Sequence, residues 1–336
     1  MINFPKWTII FLLKNAMKFE PSKLTKIIEQ NYSHLMPDFF SMQTEYLASL
    51  NIIYHDLDAS LVAMVLTSKL YKNIIKDSNL NEKIPLKYFY STQNYKLPIS
   101  NIKITEISSL LNLPRETVRR KKAIIIRDKL IILDSKRKSY SLNTNMIEKD
   151  LLNWQISNLC KFLTKFSLYF SRNKFFVKEV SREEIQRDIE EKFLLYFVKF
   201  LDFQIAYFSN LKTFIDIESI FIIILCALNT TVKLKGNERP MDYKHLLSKF
   251  NHTNHSLGLN ATSISDITKV PRTTVIRKIT HLEKMGILKK DKFKRYNAVD
   301  FLKSSNSKKI ESIMNHNLKL LGVFFSDCLE TYSTKH

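Results

Sequence analysis

Glycine is nearly missing from this chain: Gly236, Gly258, Gly286 and Gly322 are the only four in 336 residues. Phosphate-cradling loops and dinucleotide fingerprints need clustered glycines so that the backbone can approach a phosphate. These four assemble into neither. Cysteine is equally scarce. Cys160, Cys226 and Cys328 stand far apart in apolar helical runs, with no CxxC or Cys/His spacing. That argues against a disulfide framework and against zinc, and it fits a reducing cytoplasm. Long apolar runs are lacking too. The longest strictly apolar one, Ile220 to Leu228, has nine residues, whereas spanning a bilayer takes about 20. One lysine before Trp7 to Leu13 imitates a signal peptide, but the apolar core is minimal and no small-residue cleavage site follows. No membrane partner is expected.

Motifs for catalysis are also wanting. His252 and His255 offer two imidazoles in a polar loop without a third ligand, so no metal is assigned. Glu183-Glu184 and Glu190-Glu191 read as a solvated helix face. No Ser/His/Asp order and no paired carboxylate has a supporting local motif. The expectation is a protein that is not an enzyme and takes no cofactor.

What the chain has is positive charge, with a net charge of +21 and a pI near 9.7. An acidic partner is therefore expected. Lysine, isoleucine and asparagine are abundant throughout, as codon bias in an AT-rich genome would produce, so the total alone decides little. The distribution decides more. Segments 104–140 and 261–296 carry net charges of +6 and +7. Of only twelve arginines, eight lie there: Arg115, Arg119, Arg120, Arg127, Arg137, Arg272, Arg277 and Arg295. Drift toward lysine does not concentrate arginine, whose planar fork suits phosphate and guanine.

Those two segments are copies of one another. Pro114-Arg115-Glu116-Thr117-Val118-Arg119-Arg120-Lys121-Lys122-Ala123 returns as Pro271-Arg272-Thr273-Thr274-Val275-Ile276-Arg277-Lys278-Ile279-Thr280, within a gapless 36-residue block at an offset of 157. Ile107, Leu110 and Leu113 fall on Ile264, Ile267 and Val270, the spacing of one apolar helix face. Thr105 and Thr262 stand where an N-cap is expected, and each proline suits the first turn of the next helix. A short helix, a turn and a second helix make a helix-turn-helix. Each copy then continues into an apolar run, a charged turn and a returning run: Leu130 to Leu133, Asp134 to Lys138, Ser139 to Leu142; and Gly286 to Leu288, Lys289 to Arg295, Tyr296 to Val299. That pattern predicts a hairpin, which beside a helix-turn-helix is a wing. Ile102/Ile104 and Leu259/Ala261 alternate like a short edge strand. Fainter matches, Asp56-Leu57-Asp58 with Asp216-Ile217-Glu218 and Pro85/Tyr88 with Pro240/Tyr243, extend the repeat to a whole-domain duplication.

The predicted fold class is mainly α with short β-hairpin wings: two winged helix-turn-helix domains joined and flanked by long helices. The expected layout is an N-terminal helical segment (1–45), domain 1 (46–145), a helical linker or dimerisation region (146–214), domain 2 (215–300) and a C-terminal helix (301–336). Aromatic residues crowd 146–171 and 184–214, among them Trp154, Phe162, Phe166, Tyr169, Phe170, Phe193, Tyr196, Phe197, Phe200, Phe203 and Tyr207. Core packing, a homodimer interface and an effector pocket for a small molecule all fit this pattern. Residues Arg172 to Lys178 are expected to bend between the halves.

At Pro-Arg-x-Thr-Val, and at His281-Leu282-Glu283-Lys284-Met285-Gly286-Ile287-Leu288 in the second copy, the chain resembles bacterial winged-helix transcriptional regulators of the MarR and IclR groups, over about 40 residues in each half. The resemblance implies that the helix carrying Arg115 or Arg272 enters the major groove while the wing meets backbone or minor groove. Two such domains in one chain would replace the usual dimer. The first copy departs from the pattern, with Lys122 at the position of Ile279 and Lys129 at that of Gly286; either a slight rotation of this helix or a snorkelling lysine would accommodate the former.

On this reading Val118, Ile125, Val275, Ile279 and Leu282 face the core. Early positions of a recognition helix reach base edges most easily, which assigns Arg115, Glu116, Arg119, Arg272 and Thr273 to bases, with Ile276 on the same face. Thr117, Arg120, Thr274 and Arg277 are assigned to phosphates. Lys136, Arg137, Lys138, Lys292, Lys294 and Arg295 are wing contacts. The expected partner is double-stranded DNA and the expected role a cytoplasmic, nucleoid-associated transcriptional regulator. A plasmid- or phage-type replication initiator and a winged-helix interaction scaffold are the alternatives.

Overall fold

In the computed structural model the described residues are 19–77, 85–86, 97–98, 103–129, 131–136, 138–143, 149–172, 181–234, 239–250 and 258–333. The Trp7 to Leu13 run, Tyr88, Ile102, Leu130, Arg137, the 173–178 bend and the His252/His255 loop lie outside them. The chain is mainly helical with two small antiparallel sheets.

Three helices open the described chain: α1 (Pro21–Gln30), α2 (Tyr32–Tyr54) and α3 (Leu57–Asp77). The 45/46 boundary drawn from the sequence falls inside α2. Next come β1 (Leu97–Pro98), α4 (Ile104–Leu111), α5 (Arg115–Arg127), β2 (Ile131–Asp134) and β3 (Ser139–Leu142). A helical stretch follows: α6 (Lys149–Arg172), α7 (Arg182–Glu191), α8 (Phe193–Lys212) and α9 (Ile217–Leu234). The second copy holds α10 (Tyr243–Phe250), α11 (Ala261–Thr268), α12 (Arg272–Lys284), β4 (Leu288–Lys290) and β5 (Tyr296–Ala298). A 3-10 turn (Phe301–Lys303) leads into α13 (Ser307–Ser333).

Local chemistry explains the boundaries. Asp56 Oδ1 accepts from Ala59 N at 2.8 Å and Asp216 Oδ1 from Ser219 N at 3.0 Å, so the faint Asp-x-acid match marks equivalent N-caps of α3 and α9. Ser181 and Glu184 close a capping box on α7. The caps of the short helices differ from expectation. Lys103 and Asn260 occupy the N-cap positions of α4 and α11, and Asn260 Oδ1 accepts from Ser263 N at 2.8 Å. Thr105 and Thr262 sit inside the first turn instead. The edge strand also lies elsewhere: Leu97 and Pro98 pair with Tyr140 and Ser139, while Ile104 and Ala261 are helical. In the second copy a single bridge, Leu259 to Tyr296, takes that place. Tyr140 and Tyr296 are thus equivalent, and the repeat offset slips from 157 to 156 at the hairpin turn. Gly258 is required at this bridge, since a Cβ there would stand 2.7 Å from Asn297 Nδ2 and 3.0 Å from Tyr296 N.

The helical core unites the two copies. Phe39 on α2 meets Phe203 and Tyr207 on α8, and Tyr46 meets Phe200, so α2 and α8 run antiparallel. Phe162, Phe166 and Phe170 of α6 gather around Phe325 of α13, with Phe166 stacked on it at 4.3 Å. Phe193, Tyr196, Phe197, Phe200, Phe203 and Tyr207 are all buried. Those rings pack inside one chain, while Trp154 and Tyr169 of α6 are half-buried. No single described helix is long and apolar enough to cross a membrane. Helices α2 and α3 pass that test only together, bent by 96°.

The long helices are exchanged between copies. Helix α2 precedes α3 of the first copy but packs on α11 of the second; α8 precedes α9 but packs on α4 of the first. Asn51 Nδ2 on α2 donates to Thr268 O at 3.1 Å, and Ser209 Oγ on α8 donates to Leu110 O. Both acceptors lie at the end of the short helix that precedes an arginine-rich one. Reciprocal contacts of this kind define a two-fold arrangement. Two deeply buried amides, Gln43 and Gln204, sit near the α2–α8 crossing on the same antiparallel register.

Helix α13 closes the bundle against α1 and α8. Its Gly322 admits α1 so closely that a Cβ would collide with Thr25 Oγ1 and meet Pro21 O at 2.8 Å. Replacing glycine by alanine within a helix ordinarily stabilises by about 0.5–1 kcal/mol. Here the sign should reverse. Gly322→Ala is expected to lower the denaturation midpoint and to expose the α1 amides to faster hydrogen exchange. A raised midpoint would mean that α1 does not dock at this point.

Candidate nucleic-acid interface

Each arginine-rich helix is presented by the same local device. The short helix before it ends in a left-handed residue, Asn112 (φ 51) in one copy and Lys269 (φ 58) in the other. Ser108 Oγ donates to Leu113 O at 2.6 Å, and Ser265 Oγ to Val270 O at 2.8 Å, each tying the short helix to the turn. Pro114 and Pro271 follow as N-caps, one residue outside the first turn where the sequence reading had put them. Their extended ψ of 141° and 135° turns the chain into α5 and α12.

Side-chain chemistry then orients the two helices. Val118 and Ile125 are buried under α5, as are Val275, Ile279 and Leu282 under α12. Equivalent lysines lock the flanks: Lys121 pairs with Asp56, and Lys278 pairs with Asp216 at 2.7 Å. The caps of α3 and α9 thereby clamp the arginine-rich helices from the side. The opposite faces are open. Arg115, Glu116, Arg119 and Arg120 are exposed on α5, and Arg272, Thr273, Ile276 and Arg277 on α12. Thr117 and Thr274 are half-buried at the margins. Two contacts preset the arginines: Arg119 Nη1 pairs with Glu116 at 3.1 Å, and Arg272 Nε donates to Thr262 Oγ1 at 3.3 Å.

The departures in the first copy are accommodated. Lys122 lies half-buried with its ammonium 5.0 Å from the centre of the Tyr140 ring, a cation–π contact that replaces the packing of Ile279. Lys129 adopts φ 55 where Gly286 has φ 70, so a lysine bears a left-handed conformation that glycine takes freely.

The hairpins stand next to these helices. Lys136 and Lys138 are exposed on the first, and Lys292 and Lys294 on the second, where Arg295 is half-buried. Arg137 is not among the described residues. The second turn is tighter than the sequence suggested, because Lys289 and Lys290 belong to β4 or its approach. Asp291 organises it: its Oδ1 accepts from both Phe293 N and Arg295 N at 2.8 Å. This turn lifts Phe293 into solvent at 55 % exposure, with Lys292 5.1 Å and the Arg295 guanidinium 5.5 Å from its ring centre. The charge pattern of the sequence does not single out Phe293; its only sequence signal is an aromatic at the tip of a polar turn.

Two like-signed, outward-facing helices with cationic hairpins can take polyanions, and nothing in the described residues groups three or more His, Cys, Asp or Glu side chains for a metal. Comparison with protein-family models, curated proteins and solved structures gives no match to the chain.

The Asp216 clamp has a pH signature. Burial works against its charge, but hydrogen bonds from Lys278, Ser219 N and neighbouring Glu218 outweigh it and hold the pKa at about 2. An unfolded aspartate titrates near 3.9. A depressed folded pKa contributes stability that is complete above about 3.9 and lost as pH falls through about 2. Lys278→Met should therefore destabilise the protein modestly at neutral pH, by about 0.2–1 kcal/mol because the Asp216 side chain is 42 % exposed and screened by solvent, and shrink the loss of stability between pH 4 and 2. Denaturant midpoints across that range check it; an unchanged acid slope would mean that the pair does not clamp α12.

Proposed function

We propose that this chain is a sequence-specific double-stranded DNA-binding protein, built from two winged helix-turn-helix units and acting as a transcriptional regulator without enzymatic activity. Helices α5 and α12 are its recognition helices, and the two hairpins its wings. The observation that carries the reading is the duplicated presentation of an arginine-rich helix: buried on one face, clamped by lysine to an aspartate cap, and open on the other face. On the open face Arg115/Arg272 and Arg120/Arg277 are kept in both copies while Glu116/Thr273 and Arg119/Ile276 have diverged, as a shared cationic contact with two different readouts requires.

The base contacts fall to Arg115, Glu116, Arg119, Arg272 and Thr273, with Ile276, 40 % exposed, suited to a thymine methyl. Arg120 and Arg277 flank them toward phosphates. Thr117 and Thr274, half-buried, would reach a phosphate only from the helix margin. Lys136, Lys138, Lys292 and Lys294 would meet the backbone or minor groove, with Arg295 braced on Phe293. Function in the cytoplasm, at the nucleoid, belongs to the same proposal.

The reciprocal bracing of α2 and α8 favours inverted half-sites over direct repeats, and so favours a regulator over an initiator that reads iterated direct repeats. The two faces differ at Glu116/Thr273 and Arg119/Ile276. Sequences selected from a random duplex pool should therefore converge on an imperfect palindrome with half-site centres roughly 10 base pairs apart. Convergence on one compact half-site, indifferent to substitution of Arg115 and Arg119, would refute the paired reading.

Neutralising Lys292, Lys294 and Arg295 together should weaken binding to every sequence. Each lost phosphate contact removes about 0.9 from the slope of log K against log salt, so three remove about 2–3. A slope that stays put while circular dichroism shows an intact fold would mean that this hairpin does not touch DNA, and would favour an interaction scaffold.

A further inference from the structure

A cavity of about 140 Å³ lies between the helical core and the second unit. Its deep wall is made by Tyr32 and Phe39 of the α1–α2 region, Tyr207 of α8 and Leu321 of α13. Its other wall belongs to the second unit: Ile220, Ile224 and Ala227 of α9, Leu247 and Phe250 of α10, Ile287 and Phe301. No charged side chain lines it. Cores pack with few voids larger than a water molecule, so a space of this size is a feature to be explained. An apolar cavity of about 150 Å³ in another protein admits benzene.

The polar groups on its wall are few. Thr231 Oγ1 already donates within its own helix, to Ala227 O at 2.9 Å. Asn317 Oδ1 accepts from Asn210 Nδ2 at 2.7 Å. Tyr32 and Tyr207 are 6 % and 7 % exposed, and neither hydroxyl has a hydrogen-bond partner among the described residues. Burying a hydroxyl without a partner is costly. Two such hydroxyls on the wall of one apolar cavity ask for a ligand that brings a single donor or acceptor. Desolvation raises the pKa of both phenols, with each Tyr32 neighbour, Tyr207 and Tyr243, adding to the shift at Tyr32. Both therefore stay neutral and able to donate.

The position of the cavity suggests what occupancy does. Ile287 N donates to Leu282 O at 3.0 Å, and Ile287 O accepts from Val299 N at 3.2 Å. One cavity-lining residue thus joins the end of α12 to the closing end of the hairpin. Phe301, just beyond β5, lines the same space.

We propose that this cavity binds a small, uncharged, largely apolar molecule, about one or two rings in size and carrying one hydrogen-bonding group, and that its occupancy sets the position of α12 and its hairpin. The first half stands on the cavity alone. The second half rests on the DNA-binding reading above.

Indole is a suitable probe, with toluene lacking the hydrogen-bonding group and benzoate carrying a charge. Titrated calorimetrically into the full chain, indole should bind and raise the thermal midpoint with concentration. Toluene should bind several-fold more weakly, and benzoate not at all. Ala227→Leu and Met314→Phe, which fill the space from α9 and α13, should each weaken indole at least tenfold while keeping the unliganded midpoint. Tyr32→Phe with Tyr207→Phe should bring indole down to the toluene level. Indole binding that both filled variants leave intact, or no binding to the native chain, overturns the site. Saturating indole should also change affinity for selected DNA several-fold in the native chain and not in Ala227→Leu. Binding without that change overturns the coupling and leaves the site. Indole binding by a chain with no affinity for duplex DNA would instead overturn the functional reading alone.

Discussion

The exchange of long helices between the two copies is the constraint on which the rest depends. Helix α2 introduces the first unit and braces the second through Asn51; α8 introduces the second and braces the first through Ser209. Each unit packs its short helix partly on its own elements and partly on the other's long helix. Each arginine-rich helix inherits its orientation from this arrangement, because α4 and α11 hold the turns from which α5 and α12 start. The aspartate caps of α3 and α9 then fix the flanks. Presentation of the arginines is thus a property of the whole bundle.

Covalent fusion adds freedom that a homodimer lacks. Two identical chains must present identical faces, but two copies in one chain can diverge. They have done so at Glu116/Thr273 and Arg119/Ile276. The hairpins have diverged as well. The second is built around Asp291 and carries an exposed Phe293 between cations, whereas Lys122 of the first unit spends its charge on the Tyr140 ring. The cavity is likewise one-sided, reached from α9, α10 and the foot of the second hairpin. The two units share a scaffold and differ in the exposed faces, hairpins and cavity they present.

Much of this was legible in the sequence, for definite reasons. The inner faces of α5 and α12 follow from 3.6-residue periodicity, which survives in any context. The Asp-x-acid match proved informative because an aspartate cap is a local interaction. Features that depend on distant chain segments were not legible. The edge at Leu97 and the one-residue slip at the hairpin turn are decided by pairing with Tyr140 and Tyr296. The true N-caps, Lys103 and Asn260, lie two residues before the expected threonines; in the second copy the Leu259 bridge stands immediately before the cap. The aromatic helices left core, dimer and pocket open, since burial of an apolar face does not announce its partner; α13 and α2 supply it within the same chain. Exchange of α2 and α8 has no local signature at all.

The central claim is that one chain reads DNA at two places through two linked recognition helices. Hydroxyl-radical footprinting of the selected duplex, with stoichiometry fixed by titration above the dissociation constant, tests it most directly. The account predicts two protected patches on one face of the duplex, about one helical turn apart, saturated by a single chain. Saturation by two chains, a lone patch, or uniform protection without register would contradict it.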